Sequence, residues 1–248
     1  MDGSNPIHPP RAALQTYARL GGLLYLVIIV IGLLGETFIR GTLVVGGDPA
    51  ATVRRIQASE WLWRLGVAGQ IVLLVCAVAL TWIFYVLLRP VSKNLSLLLV
   101  LFAITSLAVE SVSALQLQAM LDTLAMAKYL KPEDLHQLHT LAYLTVVSHA
   151  QAFGLALVFF GVEILIVGYL IRKSGFIPKS IGVLMQVAGA CYLINSFSMV
   201  LSPALASLLF PAILLPALVG EGAFCLWLLI RGAAPQFSLV SEASRELP

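Results

Sequence analysis

The chain of 248 residues is 60% hydrophobic and only 11% charged, with a mean hydropathy of +0.96. A soluble domain carries about a quarter charged residues, so these values exclude a water-soluble fold. The formal net charge of +3 comes without any basic block interleaved with aromatics, which points away from nucleic acid as a partner.

In chain order, the Pro-rich start "MDGSNPIHPPRAALQTY" reads as a flexible segment over residues 1–17. Apolar stretches then recur at 20–39, 65–88, 95–118, 141–171, 181–201 and 205–230. Each is near or above the roughly 20 residues with which a helix crosses the hydrocarbon core. Barrel strands are only about 10 residues long and alternate polar with apolar side chains, and no stretch here alternates that way. The fold class is therefore all-α: a polytopic six-transmembrane-helix bundle over residues 18–232, followed by a polar, flexible tail over 233–248. The first stretch reads as a retained anchor, because its apolar core runs long and five more follow.

After the first span, "GGDPAATVRRIQASEWLWRLG" carries a helix-start signal: Asp48 can cap and Pro49 suits the first helical position. Val53 and Ile56 share one face, Arg54 and Arg55 turn outward, and Trp61 and Trp63 are expected at the headgroup level. This predicts a short amphipathic helix on the outer surface. Between spans three and four, "MLDTLAMAKYLKPEDLHQLHTL" keeps helical spacing, with Pro132, Glu133 and Asp134 suited to a first helical turn. The pattern predicts a helical hairpin projecting beyond the membrane. Pro203, Pro211 and Pro216 predict an irregular outer half for the sixth span.

Nine of the Lys and Arg residues fall on the side of the termini and six on the other, which predicts both termini inside, in the cytoplasm. Cys76, Cys191 and Cys225 fall inside spans without CxxC spacing and read as structural thiols. No HExxH, GxSxG, P-loop, GxGxxG or GxxxG pattern occurs, no half-to-half repeat is visible, and the sequence names no cofactor.

The chemistry lies in polar residues within the spans. At about 1.5 Å of rise per residue, Glu36 is ~26 Å from Arg19, Gln70 ~28 Å from Arg89 and Glu110 ~22 Å from Leu95. Asn195 is ~24 Å from Lys179 and His149 ~34 Å from Arg172, so five spans place a polar group in the outer half. Glu221, ~15 Å from Arg231, and Glu163, ~14 Å from Arg172, come near the midplane. A charged group at such depth costs several kcal/mol unless paired, neutralised or hydrated, so these residues are expected to face the bundle interior. Glu36 and Arg40 stand four apart with the acid first, the favourable order for a helical ion pair. The pair reads either as an interfacial end to span one or as an inward acid at the mouth of a cavity. Glu221 is the leading site residue, since Gly220 and Gly222 allow close approach of a helix or ligand. His149 reads as a packing residue or as a proton or metal group. His136 and His139 share a face but have no third ligand nearby.

The blocks "ARLGGLLYLVIIVIGLLGETFIRG", "GDPAATVRRIQASEWLWRLG", "YVLLRPV", "GLALVFFGVEILIVGYLIRKSGFIPKSIGVL" and "LPALVGEGAFCLWLLIRG" resemble the bacterial membrane-protein family called domain of unknown function 4386. The resemblance implies a bacterial multi-pass membrane protein and implies no activity. It carries over to Glu36, Arg40, His149 and Glu221. It departs at Glu163, where the family often has a histidine, and at Asn195, where it often has an aspartate, which weakens a metal role.

Three functional readings follow. The first is a transport or small-ligand protein in which the acids and His149 handle a proton or a cation, because acids without matching buried bases suit a cation better than an anion. The second is an intramembrane enzyme acting on a lipid-borne substrate. The third is a structural or sensory protein whose polar groups pin helices and which acts through a partner.

Overall fold

The computed structural model describes residues 11–233. The sequence-predicted tail falls outside them except for Ala233, as does the start of the N-terminal segment. The first helix begins at Arg11, so residues 11–17, assigned above to a flexible segment, are helical.

Six helices are long and apolar enough to cross a membrane, and among the described residues there is no strand. The first span is α1 (Arg11–Leu33), continued by a π-helical segment (Leu34–Arg40) and α2 (Gly41–Leu43). A loop leads to α3 (Pro49–Ala58), then α4 (Glu60–Leu88), α5 (Lys93–Ala125), α6 (Leu135–Ser174) and α7 (Lys179–Leu201). The short α8 (Pro203–Leu209) precedes α9 (Leu215–Ile230). The apolar stretch read as one irregular span over 205–230 is thus divided. Pro203 opens α8, Pro216 stands in the first turn of α9, and the crossing span is Ala212–Ile230.

The six spans form a closed ring. α1 packs on α4, α4 on α5, α5 on α6, α6 on α7, α7 on α9, and α9 closes back on α1. With an even number of crossings, both described ends lie on one face, here called the terminal face. There the Gln15 side chain accepts from the Ala233 amide at 3.0 Å and donates to the Arg231 carbonyl at 3.1 Å. α5 and α6, with 33 and 40 residues, extend to ~50 and ~60 Å, well past a hydrocarbon core of ~30 Å. They form the projecting hairpin that the sequence predicts.

Glycines bring α6 and α7 close together along one seam. Gly154, Gly161, Gly168, Gly182 and Gly189 follow one another at multiples of seven residues across the two helices. A Cβ at Gly168 would stand 2.6 Å from the Gly182 carbonyl oxygen, and one at Gly189 2.6 Å from that of Gly161. Only glycine admits that approach, and a seven-residue period keeps it on one line along a pair of helices.

Two apolar clusters fill the ring at different depths. Towards the terminal face, Phe84, Leu87, Val167, Ile171, Phe224 and Leu228 pack together. Towards the far face, Val53, Ile56, Trp63, Leu117, Met120 and Val146 do the same. In the second cluster α3 is capped as predicted, Asp48 Oδ1 accepting from the Ala51 amide at 2.8 Å, and it buries Val53 and Ile56. Trp61 is exposed at 76%, as expected of a headgroup residue. Trp63 is not: it is 2% exposed, with its indole N–H donating to the Leu117 carbonyl at 2.9 Å. The indole lies two residues after Trp61, on the opposite side of the helix, and that side faces the ring.

Candidate functional site

The polar residues of the spans lie between these two clusters. Glu221, on α9, is buried, and both of its carboxylate oxygens are taken by tyrosines. Tyr25 of α1 donates to Oε2 at 2.8 Å, and Tyr192 of α7 donates to Oε1 through a short hydrogen bond. The Tyr25 ring is held edge-on by Phe84 at 5.8 Å and Phe224 at 6.2 Å between centroids, and the Tyr192 ring by Phe160 at 5.2 Å. Gly220 sits against the Leu184 carbonyl of α7, whereas nothing lies within 4 Å of a Cβ at Gly222. Of the two flanking glycines, one permits helix approach and the other faces open space.

Glu163, on α6, is 5% exposed and accepts no hydrogen bond from any described residue. It lies within electrostatic reach of both Glu221 and Glu110. The registers agree with this: Gly161 faces Gly189 and Gly220 faces Leu184 and Ala188, so Glu163 and Glu221 flank neighbouring turns of α7. Helix direction brings the groups together, because Cβ bonds tilt towards a helix N-terminus. Tyr25, Glu110 and Tyr192 stand on helices that start at the terminal face and lean towards it. Glu163 and Glu221 stand on helices that start at the far face and lean the other way. The side chains converge on one belt.

Glu110, on α5, accepts from Gln70 Nε2 of α4 at 2.8 Å. One turn farther out, Ser113 Oγ donates to the His149 carbonyl at 2.8 Å and stands 2.7 Å from His149 Nδ1, with the Ser113 carbonyl 3.1 Å from the same nitrogen. One tautomer meets all three contacts: the proton is assigned to Nδ1, which leaves Nε2 as an acceptor. Arg40 is within electrostatic reach of Glu110 and of His149.

Glu36 differs from the inward acid considered above. Its side chain is 53% exposed and that of Arg40 15%, with Arg40 Nη2 2.6 Å from Glu36 Oε2. The arginine turns inward and the glutamate outward, as an interfacial pair requires. Both lie in the π-helical segment, a helix form frequent at functional sites. Asn195 is buried, but its only hydrogen bond among the described residues is a long one to Met199 Sδ at 4.0 Å, so it stands beside the belt. No group of three or more His, Cys, Asp or Glu among the described residues is placed to hold a metal ion.

Six of the eight expected site residues therefore form an extended track. It runs from Arg40 and His149 through Glu110 and Gln70 to Glu163 and Glu221. The two tyrosines were missed by sequence reasoning. The available signal was helical spacing: Tyr192 lies three residues before Asn195, so the two share a face of α7.

Each of the six spans thus contributes a polar side chain to the interior: Tyr25, Gln70, Glu110, Glu163, Tyr192 and Glu221. Fold and site define a multi-pass integral membrane protein with an acidic interior. The chain belongs to the family described as domain of unknown function DUF4386, which matches it over residues 20–232. It is similar to an uncharacterized protein of Archaeoglobus fulgidus, 28% identical over 167 residues that make up 67% of this chain and 83% of the relative. That relative is archaeal, so the bacterial source implied by the sequence resemblance does not follow from it. No solved structure matches the chain.

Proposed function

We propose that this is a proton- or cation-linked transport or small-ligand-binding protein of the cytoplasmic membrane, with both termini in the cytoplasm. The observation that carries the reading is the interior set Glu110, Glu163 and Glu221, three acids on three spans, of which Glu110 alone has an arginine, Arg40, within reach among the described residues. A buried carboxylate is costly in an apolar medium, and a proton or small cation removes that cost by neutralising it. The same acids would repel an anion.

One observation favours the structural reading instead: the Glu221 clamp ties α1, α7 and α9 together. Yet helix pinning is supplied elsewhere by neutral groups. Ser106 Oγ donates to the Ala156 carbonyl at 2.9 Å, Trp63 to Leu117, and Ser113 to His149. Acids are not required for that task, and among the described residues Glu163 bonds to no other helix.

The test is thermal unfolding of the purified protein in detergent across sodium, potassium and divalent salts and a pH series, with Glu221→Gln and Glu163→Gln alongside. A ligand that binds only the folded state at 100 times its Kd adds about 2.7 kcal/mol. A shift that either variant loses supports the reading. Equal responses in all three proteins favour the structural role.

A further inference from the structure

The polar track is one-sided. From the belt to the far face, ionisable groups follow one another: Glu163, Glu110, then His149 and Arg40, with Glu36 at the exposed end. From the belt to the terminal face the interior is apolar. Phe84, Leu87, Val167, Ile171, Phe224 and Leu228 fill it, and among the described residues its buried polar side-chain groups are Thr81, Ser96 and the Trp227 indole N–H. None is an acid or an imidazole. The two acids at the bottom also differ. Glu221 has both oxygens occupied by tyrosine hydroxyls, whereas no described residue donates to Glu163.

We propose that Glu163 is the exchangeable proton carrier of this interior, loaded and unloaded from the far face alone, and that Glu221 is the fixed acid beside it. The inference rests on the proton-handling reading above and adds the carrier and the direction of access. The groups within electrostatic reach of Glu163 on the surrounding helices are Glu110 of α5, Glu221 of α9 and Tyr25 of α1, with Tyr192 of α7 bonded to Glu221 beside it. None is a base, so among the described residues Glu163 has no counter-charge and an incoming proton neutralises it. In the transfer, an O–H bond breaks at the Glu110 carboxyl and one forms at the Glu163 carboxylate by way of a water between them, which gives up one proton as it takes the other. Glu110 then regains a proton from the far-side water, near His149 and Arg40. Unloading runs the same steps backwards, and no charge reaches the terminal face. The tyrosine clamp keeps Glu221 out of the exchange, since its oxygens would have to give up two hydrogen bonds to take part.

An apolar carbodiimide tests this, because it modifies a membrane-buried carboxyl in its protonated form. The full chain is placed in vesicles, with orientation reported by an impermeant maleimide on an introduced Lys173→Cys, and the modified residue is located by mass spectrometry. The expected result is modification of Glu163 that changes several-fold when the far-side pH is stepped and stays constant when the terminal-side pH is stepped. Glu163→Gln should lose the modification and Glu163→Asp keep it, both with the unfolding temperature of a folded protein. Modification that follows the terminal-side pH, or that falls on Glu110 or Glu221 instead, overturns the carrier or its sidedness and leaves the acidic interior functional. No modified acid at any pH, together with no ion or pH response in unfolding, overturns the underlying reading as well.

Discussion

The Tyr25 hydroxyl and the Glu221 carboxylate, 196 positions apart in the chain, meet at 2.8 Å and join the first span to the last. Removing that hydroxyl should leave a buried oxygen without its donor. Tyr25→Phe is expected to lower stability by about 1–2 kcal/mol, as is Tyr192→Phe. Thermal unfolding in detergent reads the loss. Because both hydroxyls serve one carboxylate, the double variant should depart from the sum of the two single changes.

The α6–α7 seam and Gly222 give opposite expectations for the same chemical change. Gly168→Ala places a methyl 2.6 Å from a backbone oxygen, and overpacking of this kind costs about 1–3 kcal/mol. Gly222→Ala meets nothing within 4 Å and gains helix propensity of roughly 0.5–1 kcal/mol. The first variant should unfold earlier than the parent and the second should not. Equal losses in the two would show that the seam is looser than described.

Trp61 and Trp63 should separate in a quenching experiment. Brominated lipids are expected to quench the exposed Trp61 and leave Trp63 shielded, which single Trp→Phe variants would reveal. Trp63→Ala should cost about 3–5 kcal/mol, against changes within roughly 0.5 kcal/mol for Trp61→Phe.

Topology has its own check. Lys131 lies in the hairpin turn on the far face and Lys173 at the end of α6 on the terminal face. An impermeant maleimide added to intact cells should label Lys131→Cys and spare Lys173→Cys, if the positive-inside bias sets the orientation. The reverse pattern would place the termini outside.

Local pattern determined much of this protein. Apolar runs longer than a bilayer is thick admit only helices, so six spans, their order and the projecting hairpin were legible from the residues. Capping chemistry is equally local, and Asp48 and Pro49 announced α3. Depth along a helix is arithmetic, which put Glu110, Glu163 and Glu221 inside the membrane. The seven-residue glycine period was also present in the sequence, but its meaning depends on which helix lies opposite.

The tertiary structure alone decided which faces meet. Closure of α9 on α1 brings Tyr25 to Glu221, and no periodicity within either helix encodes that neighbour. The inward turn of Arg40, the burial of Trp63 and the bare carboxyl of Glu163 have the same origin. A helix fixes the angle between its own residues, whereas its rotation within a ring is set by what all its neighbours can pack.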